Sequence, residues 1–391
     1  MARPGLATRL YQGEANINIV GRRKTWFAIA IAIVVISLGS ILIRGFELGI
    51  EFAGGTEFTV PATSNGQTLT QEQAGDAVAK AVHSVEPDAQ IAAAQQVGTG
   101  ADSFFRVRTP ALTTAETEEA KTALVEDLGV PADQISDNQV SAAWGGAVTE
   151  KAVLGLVVFL ILVCAYLIIR FEYRMAIAAL ASLLLDLVLT AGVYSLVGFE
   201  VTPSTVIGFL TIMGYSLYDV VVVFDKVQEN TRGLTAGSSR TYAEATNLAV
   251  NQTLMRSLNT GLVALLPVGG LLFIGAGLFG AGTLKDLGLV LFVGMGFGVI
   301  SSIVFAAPVL SALKDREPKI KAHNARVLAR RASRSDDVAP RAERTRPANA
   351  TDSDEVPAFA GTTPRPGARP VAKRNTTNRG GGAGNRPGKR R

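Results

Sequence analysis

The residues best placed to do chemistry lie in GYSLYDVVVVFDKVQEN, Gly214 to Asn230, where Asp219 stands among valines after an uncharged run from Val201 to Tyr218. A charge at mid-bilayer costs ~2.5–3.5 kcal/mol on insertion scales, so such a residue faces a partner or water and is functional by default. Tyr215 and Ser216 precede Asp219 by four and three positions, which puts all three on one face of a helix. They form a polar seam that should face a bundle interior. Arg256, in NQTLMRSLNTG, is the nearest candidate cation, amid Asn251, Gln252, Thr253, Asn259 and Thr260. A guanidinium beside a carboxylate favours the charged form, and its withdrawal lets dehydration favour the acid. That alternation is what a proton carrier requires. Asp186 is a second carboxylate in an apolar run. It follows Arg174 by twelve residues, ~18 Å along a helix, close to mid-membrane. Asp219 precedes Asp225 by six residues, ~9 Å. Asp225 sits beside Lys226 at the boundary, where setting topology is the expected role.

Other chemistries find no support. The one cysteine, Cys164, lies in an apolar run and reads as a packing residue, and the cysteine together with two distant histidines cannot build a metal site. His83 reads as a structural helix residue. No cofactor is expected. GAGLFG, Gly275 to Gly280, matches a dinucleotide fingerprint but ends an apolar helix instead of following a strand. LPVGGLLFIGAG and FVGMGFGVISS read as surfaces for close helix approach. Nucleophile elbows and Walker motifs do not occur. Tyr218–Asp219 matches one motif of the intramembrane aspartyl proteases, but Leu183 and Leu185 replace the glycines of the other. The chain is not expected to be an enzyme.

The elements that must position these groups follow from hydropathy. The 391 residues are 48% hydrophobic, and the apolar residues gather into runs. A spanning helix needs ~20 mostly apolar residues. The runs predict helices over 25–43, 151–169, 175–198, 203–224, 257–279 and 286–313. The first is longer than the apolar core of a signal peptide and no small-residue cleavage pattern follows, so it reads as retained.

Charge sets the expected orientation. Arg22, Arg23, Lys24, Arg170, Arg174, Lys226, Arg232, Arg240 and Arg256 flank spans on one side, which the positive-inside rule places in the cytoplasm. Gly45 to Glu150 carries 16 acidic against 4 basic residues, which suits the outside. Both termini, with 1–24 the shorter, are then cytoplasmic. From Lys314 onward there are 20 Lys and Arg against 8 Asp and Glu, so the net charge of +5 hides an acidic remainder. This segment, 314–391, is poor in apolar residues and reads as a disordered basic tail. A solvated tail is the plainer expectation and a contact with anionic membrane lipids the sharper one. Without interleaved aromatics it shows no specific nucleic-acid site.

Residues 44–150 form a separate unit. FELGIEFAGGTEFTVPA alternates like a strand, TQEQAGDAVAKAVHSV is a helix capped by Thr70 with Gln73, and AQIAAAQQV and SFFRVRTPA are strands joined by GTGAD. TTAETEEAKTALVEDLG is a helix capped by Thr113 or Thr114, and DQISDNQVSAAW supplies a last strand. The order β-α-β-β-α-β predicts a ferredoxin-like α+β domain, a binding or lever module.

GYSLYDVVVVFDKVQEN, NQTLMRSLNTG and GIEFAGGT, with six spans and a domain after the first, together resemble the SecF subunits of the bacterial Sec protein-export machinery. The likeness runs from about Ile17 to Leu313. It implies one half of an RND-type, SecDF-like membrane protein in the bacterial cell membrane, and Phe52, Gly54 and Gly55 in the signature that opens the exported domain. It implies a heterocomplex with SecD beside the SecYEG channel and YajC, with preproteins as substrates and the proton-motive force as the energy source late in export. It assigns proton transport to Asp219 and Arg256 and matches Asp186 to an aspartate of the third helix. Glu51 stands where many members have Asp, which keeps the charge. Leu185 stands where many have His, which ranks Asp186 behind the other pair. Protonation of Asp219 would release Arg256 and let the outer domain swing. The alternatives are a non-transporting scaffold for SecD and an RND-type exporter of small molecules.

Overall fold

The computed structural model describes residues 16–64, 67–98, 103–237, 239–278 and 282–343. Most of the expected GTGAD turn, the end of GAGLFG and the tail after 343 lie outside these residues. Six helices are long and apolar enough to cross a membrane. The first is α1 (Arg23–Arg44). The α+β domain follows with β1 (Glu47–Leu48), α2 (Ile50–Ala53), β2 (Gly55–Pro61), β3 (Thr63–Ser64), β4 (Gln67–Thr68), α3 (Gln71–His83), β5 (Gln95–Val97), β6 (Phe104–Thr109), α4 (Thr114–Leu128) and β7 (Ser136–Val140). The bundle resumes with α5 (Ala142–Arg170), α6 (Tyr173–Val197), a short β8 (Glu200–Val201), α7 (Pro203–Thr231) and α8 (Tyr242–Gly269), which continues as a π-helix over Gly270–Leu278. The sixth span is α9 (Gly282–Ser301), a π-helical stretch Ser302–Ala306 and α10 (Ala307–Asp315), and α11 (Pro318–Glu343) follows it.

The domain's sheet runs β5-β6-β2-β7, antiparallel throughout, which is the ferredoxin-like order expected from the sequence. Alternation along β2 turns Phe58 and Val60 inward, opposite Val107 and Phe105 of β6. Val78, Val82, Ala120 and Leu124 of the two helices close over them. Both helices start with the expected capping boxes, Thr70 with Gln73 and Thr113 with Glu116.

The opening segment departs from the single strand that its alternation predicts. β1 leaves the domain to pair in parallel with β8, Glu47 opposite Glu200 and Leu48 opposite Val201, and α2 intervenes before β2. Two glycines enforce the turn. Gly54 and Gly55 adopt φ of 75° and 136°, which side chains disfavour. A Cβ on Gly54 would lie 2.8 Å from the Ala142 backbone, and one on Gly145 would lie 2.6 Å from the Phe52 carbonyl. The Phe52–Gly54–Gly55 signature therefore lets α2 lie directly on the start of α5.

Helix ends also differ from the hydropathic runs. The second span begins at Ala142, not 151, and the fifth at Tyr242, not 257. The fifth span's extension carries polar side chains that a neighbouring segment satisfies, so apolarity does not mark its first turns. Asn247 accepts from the Ile19 and Val20 amides (2.9 and 3.1 Å), and Asn251 accepts from the Ile17 amide (2.8 Å). Both asparagines donate to the Ile17 carbonyl.

The expected disordered tail also starts as structure. Ile320, His323 and Val327 of α11 are buried at helical spacing, too sparse to stand out in composition. His323 Nε2 meets the Arg240 carbonyl at 2.9 Å, Asn324 accepts from the Tyr242 amide at 3.1 Å, and Arg331 forks onto Glu244 at 2.6 and 2.7 Å.

Candidate functional site

Small residues bring the bundle's polar groups together. Gly294, Gly298 and Ser302 lie four apart on the sixth span and face α7. A Cβ on Gly294 would sit 2.2 Å from Ile212 Cδ1, and one on Gly298 would sit 3.2 Å from Ser216 Cβ. From α7, Gly208 returns the arrangement, with Val290 Cγ1 2.1 Å from its would-be Cβ. Such spacing lets membrane helices approach backbone to backbone. Here it carries the next small residue of the stripe, Ser302, to Asp219.

Both carboxyl groups lie inside the bundle, Asp186 at 0% and Asp219 at 2% exposure. Asp219 accepts from Ser257 of α8 at 2.7 Å and from Ser302 with a short hydrogen bond. Asp186 accepts from Ser216 of α7, also with a short bond, and Ser301 of the sixth span lies beside it. Ser182, one turn before Asp186, donates to Ser301 at 3.4 Å. Asp219 is thus held by two serines and Asp186 by one, and the adjacent pair Ser301–Ser302 sets one hydroxyl beside each carboxyl. One oxygen of Asp186, Oδ1, is buried without a partner among the described residues. Hydroxyls stabilise a carboxylate without neutralising it, and they equally accept from the protonated acid.

The expected site residues divide among these contacts. Ser216 serves Asp186 across the helix interface and does not serve Asp219. Tyr215 keeps a buried hydroxyl with no partner. Arg256 is exposed and donates to the Tyr218 hydroxyl at 3.4 Å, so it stands withdrawn from Asp219. The reason is angular: successive residues on a helix are ~100° apart, and Ser257 holds the inward place. Asp225 pairs with Arg170 at 2.6 Å in an exposed position, as a boundary residue should. The sequence reading missed Ser257, Ser301 and Ser302. The signal for the last two is the polar SS doublet in FGVISSIVF, three and four residues past Gly298.

A second polar centre joins the α+β domain to the bundle. Arg108 of β6 lies 3.5 Å from Glu47 and 3.7 Å from Glu200, and it donates to the Leu48 carbonyl. Glu57 lies 3.8 Å from Arg106. Burial pushes the carboxyls of Glu57 and Glu200 above their ordinary range; Arg106 beside the first and Arg108 beside the second offset part of the rise. Glu51, at the same junction, has a buried oxygen without a partner.

This architecture matches known proteins. Residues 120–316 fit the family model of the C-terminal region of protein export membrane proteins SecD/SecF, and residues 39–65 fit the SecD/SecF GG motif. The chain is 48% identical over 335 residues to the protein translocase subunit SecF of Mycobacterium tuberculosis, covering 84% of this chain and 74% of that protein. It is 44% identical over 327 residues to the Streptomyces coelicolor protein of the same description, covering 84% of each. The crystal structure of SecDF from Thermus thermophilus, a translocon-associated membrane protein, superposes with a TM-score of 0.63 at 29% identity. That match covers 77% of this chain and 39% of the longer SecDF chain.

Proposed function

Because the chain belongs to the SecD/SecF family of protein export membrane proteins, we propose that it is the SecF-type half of a preprotein translocase motor driven by the proton-motive force. The supporting observation is Asp219: a carboxyl inside the fourth span, dehydrated, with both oxygens held only by serine hydroxyls. Hydroxyl partners accommodate either protonation state, whereas a fixed ion pair would hold the charged one. Arg256 stands a residue away from Ser257, ready to approach when Asp219 loses its proton. One charge crossing 100 mV is worth ~2.3 kcal/mol, so a few protons bias a domain movement against backsliding of an unfolded chain.

SecD is the expected partner, since the Thermus relative carries both names in one chain and this chain covers 40% of it. The face bearing Arg256 and Tyr218, the latter 52% exposed, is where a SecD half would pack. SecYEG and YajC complete the proposed assembly, with preproteins as the cargo. Positive flanking residues put both termini in the cytoplasm and the α+β domain outside. The test is Asp219→Asn in membranes with an intact SecD-like partner. The complex should copurify in normal yield while proton-driven late export stops; normal export would overturn the reading.

One observation favours a scaffold role: Arg256 faces outward and does not pair with Asp219. In that case Arg256→Ala lowers the yield of the complex with SecD and leaves export proportional to that yield.

A further inference from the structure

We propose that Asp186 and Asp219 form one coupled proton-binding pair, joined through the adjacent hydroxyls of Ser301 and Ser302. This rests on the proton-carrying reading above and extends it to a second carboxyl and to the residues that connect the two.

A serine hydroxyl has one hydrogen to donate, and both of these serines have two acceptors within reach. Ser302 meets Asp219 Oδ2 and also the Val299 carbonyl at 3.0 Å. Ser301 donates to the Gly298 carbonyl at 3.3 Å, with the Asp186 carboxyl beside it as the second acceptor. While a carboxyl is ionised, the serine donates to it. When the carboxyl takes up a proton, its own O–H donates to the serine oxygen, and the serine hydrogen turns to the carbonyl one turn back. One proton is taken up, one O–H bond forms on the carboxyl, and no other bond between heavy atoms changes.

Three features make the two events interdependent. The serines are consecutive, so their backbones move together. Ser302 is the first residue of the π-helical stretch, a wider turn that readily shifts its hydrogen-bond register and recurs at functional sites. Ser216, which serves Asp186, sits three residues before Asp219 on the same face of α7, so that helix touches both carboxyl groups. The orphan Oδ1 of Asp186 fits the same picture. An anion with a dry, unpartnered oxygen is costly, and a second negative charge nearby adds to that cost.

The other charged or titratable groups facing the pair are few. Tyr215 on α7 and, from its outward position, Arg256 on α8 act on Asp219, and serine hydroxyls alone face Asp186 among the described residues.

The test is an infrared pH titration of the full chain in lipid vesicles. The carboxyl band of Asp219 is the one lost in Asp219→Asn. Coupling predicts that its midpoint moves by about 1 pH unit or more in Asp186→Asn, the threshold at which two sites titrate as a pair. Ser301→Ala and Ser302→Ala should move it too, and Ser302→Thr, which keeps the hydroxyl, should restore it. Ser311→Ala, at a buried serine with no partner, should not move it. An Asp219 midpoint identical in the wild type and in Asp186→Asn overturns the coupling, as does a Ser302→Thr protein with wild-type fold whose midpoint matches Ser302→Ala. If export needs Asp219 while the midpoints are independent, the coupling falls alone. If the midpoints couple and Asp219→Asn exports normally, the export role falls and the coupling stands.

Discussion

Glu47 and Glu200 are directly opposed residues of a two-stranded parallel ladder, although they flank different spans and 153 positions separate them in the chain. Like charges in such positions repel. The Arg108 guanidinium, from a third strand, lies between them and turns the repulsion into a clasp. Glu200 follows α6, which carries Asp186, and precedes α7, which carries Asp219. The clasp therefore ties the α+β domain to the connection between the two helices that hold the buried carboxyls.

Arg108→Ala should destabilise the purified protein by about 3 kcal/mol, the low end for removing one partner of a buried pair. Thermal unfolding measures it. The double variant Arg108→Ala with Glu200→Gln should recover much of the loss, because no uncompensated buried charge remains.

Acid should tighten the same junction. Burial raises the carboxyls of Glu57 and Glu200 above their ordinary values. A group whose folded value is raised contributes stability that is full below the unfolded value and is lost as pH rises through the folded one. Hydrogen exchange in segments 47–57 and 198–202 should thus be slower, after correction for intrinsic rates, at mildly acid than at neutral pH. Glu57→Gln with Glu200→Gln should flatten that difference.

Gly145→Ala should cost ~1–3 kcal/mol, the usual penalty for overpacking, because its Cβ meets the Phe52 carbonyl at 2.6 Å. Limited proteolysis at the base of the α+β domain should report the loosened contact, and α6 to α9 should keep their protection.

Gly294→Leu should wedge α7 from the sixth span at Ile212. Proton-driven export should fall as far as in Asp219→Asn, although position 294 carries no ionisable group. The melting of the isolated α+β fold signal should stay unchanged. Unaltered export would mean that the small-residue stripe does not position Ser302.

Truncation after Glu317 should expose the loop before α8. Arg240, Tyr242 and Glu244 would lose their contacts with His323, Asn324 and Arg331. Amide exchange across 239–244 should speed up at least tenfold, with the buried carboxyls unaffected.

Much of this was legible in the sequence, for identifiable reasons. Six spans stand out because dehydration demands long apolar runs. The ferredoxin-like order stands out because Thr70 and Thr113 announce their helices and the strands alternate. Asp186 and Asp219 stand out because charge in such runs is rare. Their partners were not legible, since serine is common and its meaning depends on which helix lies opposite. The choice of Ser257 over Arg256 as the inward group needed a helix phase that hydropathy does not fix, because α8 begins well before its apolar part. The pairing of β1 with β8 was hidden by its length, two residues on each side.

The grip of Asn247 and Asn251 on residues 17–20 involves main-chain atoms alone on the gripped side. Spelling is therefore loosely constrained at the exposed position Ile17, while spacing is not. One residue added between Val20 and Arg23 would leave α1 out of step with its anchor, and one exchanged at Ile17 would pass unnoticed there. Homologous chains can drift in letters at this point and still be forced to agree in length.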